Sequence, residues 1–386
     1  MKNKRIVVVI FLLISFISFA VNINTVYANE LSENIEEQLI NLDLSELESF
    51  YNELTADFEG VDFISFLKKN LNGEYVYNAE NFFDYLKDIC FDFVKDFLPT
   101  FISVIIIAVI CGFLHKNRNT NIGESVSEIT YFAAILSIIL LLMVKIYPLI
   151  KNTEIVIKNI AKLIEIMSPI IVTLMVAVGG NVSASVYKPI VAFFTGAFVN
   201  VVLNIIVPLI LLFAVFNVGA SFSSVIKFNK FADFCAGAIK WILGILATIF
   251  GLFLSIQGLT SAHFDGISLK AAKYAISNSV PIVGGFLKDG FDIVIAASVL
   301  IKNSIGVCGI VVLIYLILSP VLYLSVLSIL LKLCAAILEP ICDVRISNLC
   351  VASSKTCSYL IAAILTVALM FFILILMLIL SANAFV

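Results

Sequence analysis

The sequence predicts an all-α fold: a polytopic membrane helix bundle with a cleaved signal peptide and a small acidic helical extracytoplasmic N-terminal domain. Three observations carry this. Hydrophobic residues make up 61% of the chain and charged residues 13%, with a mean hydropathy of +1.11, a balance that soluble domains do not show. The apolar residues gather in runs long enough to cross a bilayer. Charge is partitioned: residues 29–97 hold 17 acidic and 4 basic side chains, whereas residues 98–386 hold 10 acidic and 17 basic. The acidic part suits a solvated compartment or a basic protein partner and argues against nucleic acid.

The elements follow in order. Lys2, Lys4 and Arg5 precede an apolar run from Ile6 to Val21, and Val26-Tyr27-Ala28 has the small residues of a cleavage site, so residues 1–28 read as a signal peptide. Asn29 onward then lies outside the cytoplasm. Residues 29–97 read as short helices (LSENIEEQLINL, LSELESFYNEL, DFISFLKKNL, AENFFDYLKDICFDFVKDFL) with apolar residues three and four apart and acids between. About 70 residues make a small core that depends on a partner or on the membrane face for order.

The membrane domain occupies 98–386. Pro99 opens a span ending near Leu114, and His115, Lys116 and Arg118 mark a cytoplasmic loop. Residues 131–147 cross back. Lys151 to Glu165 is amphipathic, with Lys151, Glu154, Lys158, Lys162 and Glu165 on one stripe, and is expected to lie along the interface. An apolar piece from Ser168 to Gly179 ends at the Gly179-Gly180-Asn181 break, and a long apolar run follows from Pro189 to Val218. Further spans are expected at 235–257, at 304–337 (two segments around Pro320) and at 358–381. Within 235–257 the glycines Gly237, Gly244, Gly251 and Gly258 recur every seven residues, a smooth helix face where a neighbouring helix packs closely.

A weak internal repeat relates 151–220 to 263–332. Pro169 and Pro281 stand 112 residues apart, as do Pro208 and Pro320, and at the same offset Ile155 matches Ile267 and Lys158 matches Lys270. Each half reads as an amphipathic helix, a proline-led broken segment and an apolar run, the plan of repeat-built transporters.

The candidate functional element lies between Ser279 and Gly309, where Lys288, Asp289, Asp292, Lys302 and Asn303 sit among isoleucines, valines and glycines. Ionisable groups at membrane depth are costly and mark pathways or pairings. As a helix, Asp289, Asp292, Ala296, Val299, Asn303 and Gly306 share one face, with Val294, Ala297, Leu300 and Ile301 on the other. The apolar stretch from Asp292 to Lys302 covers only roughly 14 Å against a hydrocarbon core of about 30 Å. The segment therefore faces the bundle interior, lines a water-filled path, or is re-entrant. Pro281, Gly284 and Gly285, like Gly179 and Gly180, are expected helix breaks.

No catalytic constellation is present in the sequence. His115 and His263 occupy loop positions without a paired-ligand pattern, and no phosphate-binding GxxxxGK[ST] loop occurs. Ser224 and Lys227 have SxxK spacing but no supporting residues. Of eight cysteines only Cys90 falls in the acidic domain, so there is no disulfide framework, and Cys342, Cys350 and Cys357 lack metal-knuckle spacing. A non-enzymatic protein with no cofactor and no metal is expected.

The run KAAKYAISNSVPIVGGFLKDGFDIVIAASVLIKNSIGVCGIVVL at 270–313 resembles the stage III sporulation protein AE family of endospore-forming bacteria. MSPIIVTLMVAVGGNVSASVYKPI at 167–190 and LEPICDVRISNLC at 338–350 resemble further parts of it, in the same order. The resemblance implies a subunit of a channel complex linking mother cell and forespore, in the mother-cell membrane, with its N-terminal domain in the intermembrane space. It implies as partners other stage III sporulation membrane proteins, a secretion-type ATPase and, for assembly, a YidC-type insertase. It supplies no catalytic residues. Three readings of the charged stripe stand side by side: pathway lining in an export-apparatus subunit, an independent small-solute permease, and pairing within a structural scaffold. Lys288 and Asp292, four residues apart, are placed to pair.

Overall fold

The computed structural model describes residues 34–35, 37–40, 42–55, 63–71, 79–116, 124–222, 228–258 and 283–380. The signal peptide and the apparent start of the second repeat fall outside them. Every regular element among the described residues is helical: α1 (Ser45–Thr55), α2 (Phe63–Leu71), α3 (Ala79–Lys116), α4 (Glu124–Ala177), α5 (181–222), α6 (Asn229–Gly258), α7 (Val283–Leu338) and α8 (Val344–Leu380). Helices α3 to α8 are each long and apolar enough to cross a membrane, and the chain is a multi-pass membrane protein.

The helices are longer than the apolar runs suggested. The segments expected at 131–147, 151–165 and 168–179 are one helix, α4, so Lys151–Glu165 does not lie along an interface as a separate element. Pro148 and Pro169 sit inside it. Each removes one backbone hydrogen bond, a cost of a few kcal/mol. Burial outweighs that here: Ile157, Ile160, Leu163, Ile164 and Ile171 are fully enclosed by neighbouring helices. Likewise α3 begins twenty residues before Pro99, and α7 passes through Pro320 without a second segment. The apolar windows Phe132–Ala177 and Ile293–Leu338 are each 46 residues, about 69 Å of helix, more than twice a hydrocarbon core.

The break at Gly179–Gly180 is real and has a mechanism. Gly179 adopts φ 88°, where only glycine is unstrained. Its N–H donates to Val176 O at 2.9 Å and that of Gly180 to Met175 O at 2.8 Å, the paired bonds of a Schellman ending. Helix α5 then starts at Asn181. It contains two π turns, Phe194–Phe198 and Val202–Ile206, and the second ends just ahead of Pro208. Gly284 and Gly285, in contrast, lie within the first turn of α7 and do not break it. Pro281 lies outside the described residues. The positions equivalent to Gly179 and Gly180 at the repeat offset, Phe291 and Asp292, are also inside α7. The two halves therefore do not share helix boundaries.

Helices α7 and α8 form the central antiparallel hairpin, with α4 against both, α3 against α4 and α7, and the α5–α6 hairpin on the other side of α8. The N-terminal helices α1 and α2 pack on α4 and α7. Their residues Leu47, Phe50, Tyr51, Phe63, Phe66, Leu67 and Leu71 are buried in one continuous core with the body, and Tyr51 stacks on Phe66 at 5.9 Å.

Candidate functional site

Several residues in the middle of α7's first half are fully buried, although Val294 before them is exposed. Ile295, Ala297, Ser298, Ile301, Lys302 and Ile305 are each at most 1% exposed. On the face opposite the polar and small residues, Ala297 and Ile301 are as buried as Ser298 and Lys302, while Val294 and Leu300 are more exposed. The reason is three-sided packing. At Gly306 an added Cβ would collide with the Ile379 side chain of α8, and at Gly309 with Met167 of α4, so both glycines admit close neighbours. The third side is covered by the N-terminal helices.

That cover is polar at two points. Ser298 Oγ donates to Gln38 Oε1 at 2.8 Å while Gln38 Nε2 donates to Val294 O at 3.2 Å, so one amide brackets a turn of α7. Asn70 Nδ2 donates to Cys308 Sγ at 3.7 Å. Lys302 lies between these contacts and is 0% exposed; Asn303 beside it is half-buried. A lysine ammonium without solvent contact is tolerated only in a protein interior that supplies polar partners. Lys288, Asp289 and Asp292 belong to the helical backbone of α7, but their side chains lie outside the described residues, as does any contact between Lys288 and Asp292.

The glycine face of α6 differs from its expected role. Among the described residues nothing comes within 4 Å of a Cβ added at Gly237 or Gly244. Gly258 closes the helix. On the same helix Phe231, Phe234, Trp241, Ile249 and Leu252 are exposed. The face is open to whatever surrounds a single chain.

Two polar sites were not singled out from sequence. Lys145 Nζ of α4 donates to Asp96 Oδ2 of α3 at 3.0 Å, and Tyr323 Oη of α7 donates to the same oxygen at 3.0 Å, with Phe93 edge-on to the tyrosine ring at 4.5 Å. The available signal was Lys145 alone in an apolar run and Asp96 as the last of a series of acids four residues apart. The second site joins α7 to α8. Ser354 Oγ donates to Ser328 O at 3.0 Å, Ser328 Oγ lies 2.9 Å from Ser354 Oγ, and Ser347 Oγ donates to Ala335 O at 3.1 Å. The signal there was the small polar string Ser353-Ser354-Lys355-Thr356. At the hairpin tip Cys342 Sγ donates to Ala108 O at 2.9 Å, and burial pushes its thiol above the ordinary range. Among the described residues no three His, Cys, Asp or Glu side chains converge on a point.

The chain's relatives agree with this plan. The family model for stage III sporulation protein AE matches residues 61–382, a span that takes in α2 through α8. Stage III sporulation protein AE of Bacillus subtilis (strain 168) is 26% identical over 360 residues, covering 92% of this chain and 90% of that protein. No solved structure matches. With the match running from the N-terminal layer to the end of α8, the chain belongs to the stage III sporulation protein AE family.

Proposed function

We propose that the protein is a non-enzymatic membrane subunit of the channel complex between mother cell and forespore, needed for forespore development. The observation that carries this reading is the polar segment of α7, with Ser298, Lys302 and Asn303 held inside an apolar helix body. A lysine buried at membrane depth is costly and marks a pathway or a pairing. The protein sits in the mother-cell membrane with α1 and α2 on the extracytoplasmic side. Its neighbours are other stage III sporulation membrane proteins and a secretion-type ATPase, which supplies the energy that this chain's own sequence has no nucleotide loop to capture. A YidC-type insertase assists its assembly.

The open glycine face of α6 favours the same subunit reading over an independent permease. A helix with three small positions on an exposed face is suited to a second helix from another chain. A scaffold role is the second reading, favoured by the complete enclosure of Lys302. Replacing Lys302 with Met, which keeps its length, separates the two. If the variant accumulates and co-purifies with its neighbours but late forespore gene expression fails, the α7 segment belongs to the pathway. If the complex is not recovered, Lys302 holds the assembly together. Solute uptake by the purified protein alone in liposomes would instead favour the permease.

A further inference from the structure

The bundle has two edges of opposite character. Helix α3 packs on α4 and α7, α6 packs on α5 and α8, and each keeps an exposed outer face. The α3 edge is acidic and ridged. Acids recur every four residues from Glu80 to Asp96, with Lys87 and Lys95 the only bases between them. Asp92 and Asp96 are exposed, and Leu98, Ile102, Ile106 and Ile110 beyond them form an exposed row four residues apart. Lys95 is engaged locally, its Nζ 3.4 Å from Asp92 Oδ1 and 4.4 Å from the Phe91 ring centroid.

The α6 edge is grooved, and Lys230 and Lys240 outnumber Asp233 on it. Gly237, Lys240 and Gly244 share one exposed stripe, flanked by Phe234 and Trp241. Lys240 Nζ stands 6.0 Å from the Tyr359 ring centroid, and among the described residues no carboxylate forms an ion pair with it.

The two edges are in register. Tyr323 of α7 bonds Asp96, and five residues on, Ser328 Oγ lies 3.4 Å from the hydroxyl of Ser358, the neighbour of Tyr359. Five residues of helix are about 7.5 Å, so Asp96 and Lys240 stand at nearly the same depth. Both lie within apolar membrane windows, where an ionised group facing lipid is costly. The helices run in opposite directions there. Helix α3 heads for the α7–α8 turn, which it reaches at Ala108. Helix α5 approaches the same turn, from Met377 at Tyr187 to Tyr359 at Phe213, and α6 returns from it. Ile102 and Phe234 are therefore both on the turn side of the two charges.

We propose that copies of this chain associate side by side and head to tail, the acidic ridge of α3 on one copy seated in the glycine groove of α6 on the next. Copies in one membrane are related by rotation about its normal, which preserves depth. Asp92 and Asp96 of one copy then meet the level of Lys240 on the next, and the row from Leu98 to Ile106 meets Gly237 and Phe234. A twofold contact through either edge has the opposite electrostatics. Joining α6 to α6 sets Lys240 against Lys240 and Asp233 against Asp233, and joining α3 to α3 stacks acid on acid. Each copy in a head-to-tail contact still has one edge unused, so the contact repeats into a ring or a row. The occupant of α6, left unnamed by the subunit reading on which this rests, is then a second copy.

The test is cross-linking of the full-length chain in membranes of sporulating host cells. Leu98→Cys on α3 and Trp241→Cys on α6 are combined in one chain and oxidised with copper-phenanthroline and dissolved oxygen, each thiol giving up one proton and one electron to the oxidant. The expected product is a ladder of dimers, trimers and higher species that reductant collapses, absent from each single variant and from the native chain. Ile102→Cys with Phe234→Cys, nearer the α7–α8 turn, is expected to give the same ladder and covers a local failure of the first pair. Lys240→Asp should weaken the ladder several-fold, and adding Asp92→Lys should restore it. No ladder from either pair overturns the head-to-tail contact, as do products that stop at dimers or dimers from Trp241→Cys alone, the mark of a twofold pair. A ladder indifferent to Lys240→Asp, or a loss that Asp92→Lys leaves unrepaired, overturns it as well. Failure of the subunit reading is distinct, since the wild-type chain would then not recover its neighbours, whether or not copies cross-link.

Discussion

The two halves of α7 are held by different chemistry. Toward its C-terminal end it is clamped to α8 by reciprocal serine bonds, Ser354 to the Ser328 carbonyl and Ser328 beside the Ser354 hydroxyl, within a seam of Leu324, Leu327, Leu331 and Leu360. Toward its N-terminal end the same helix is covered partly by α2 and by the helical residues ahead of α1, a different part of the chain that reaches it through Asn70 and Gln38. The first contact joins consecutive helices across a five-residue turn and forms as the hairpin folds. The second closes between residues more than 230 apart in sequence, which adds about 2 kcal/mol of loop-closure entropy in an otherwise unfolded chain. One half is thus held within a single hairpin and the other by a distant part of the chain.

The strongest way to break this contrast is steric. Gly309→Leu places side-chain atoms where Met167 already stands, and Gly306→Leu does the same against Ile379. Overpacking of this kind costs typically 1–3 kcal/mol, and more where backbone must shift. Both variants are expected to lower the steady-state amount of protein and its resistance to unfolding in detergent. Gly244→Leu meets open space in the single chain and is expected to leave that amount unchanged. If it nevertheless removes the chain from its complex, as the subunit reading expects, the α6 face is occupied by another protein. Normal assembly of Gly244→Leu would leave that face to lipid.

Next in size is the serine clamp. Ser354→Ala removes a donor to Ser328 O and a partner for the Ser328 hydroxyl, and interhelical bonds of this type in membranes are worth about 1 kcal/mol. Ser328→Ala should cost a similar amount. The double variant should cost clearly less than the sum, because the two hydroxyls lose the same partnership. Additive losses measured by detergent unfolding would show that the serines act separately.

Much of this architecture was legible in the sequence, and the parts that were not share one cause. Apolar periodicity marks the helices, and the Gly179–Gly180 ending was readable because a glycine pair followed by Asn, Ser and Ser signals a stop and a restart. Helix boundaries at Pro99 and Pro320 were misread because proline disfavours a helix locally, whereas these helices are held by neighbours on several sides. Gly284–Gly285 looked like the Gly179–Gly180 pair, yet only the latter is a break: local glycine content does not say which tertiary contacts exist. For the site, the polar content of α7 was visible but its surroundings were not. Ala297 and Ile301, on the face opposite Asp292 and Asn303, are buried too, because three groups of helices cover the segment. Asp96, Lys145 and Tyr323 lie on three helices far apart in sequence, so their convergence is a property of the packing alone.

That convergence predicts a smaller effect than its geometry suggests. The Asp96–Lys145 pair is short, but the side chains are 54% and 25% exposed. Partly solvated pairs are screened and usually contribute below about 1 kcal/mol. Asp96→Asn keeps the shape and an acceptor for Tyr323, so it is expected to reduce stability slightly, and Lys145→Met about as much. A loss comparable to Gly309→Leu would mean that the site is sealed from solvent in the assembled complex.

The smallest expected change is at the cover itself. Gln38→Ala removes the acceptor of Ser298 Oγ and the donor to Val294 O. Ser298 retains a bond, since its hydroxyl also lies 2.9 Å from Val294 O within its own helix, so no buried donor is orphaned. Global stability should change by well under about 1 kcal/mol, because the penalty for an unsatisfied polar group is avoided. Local opening should nevertheless increase, and hydrogen exchange is the measurement that distinguishes the two. Faster exchange in α1 and α2 with unchanged exchange in the α7–α8 hairpin would place the boundary between the two at Gln38 and Ser298. Faster exchange throughout would mean that cover and hairpin unfold as one unit, and the contrast between the two halves of α7 would fall.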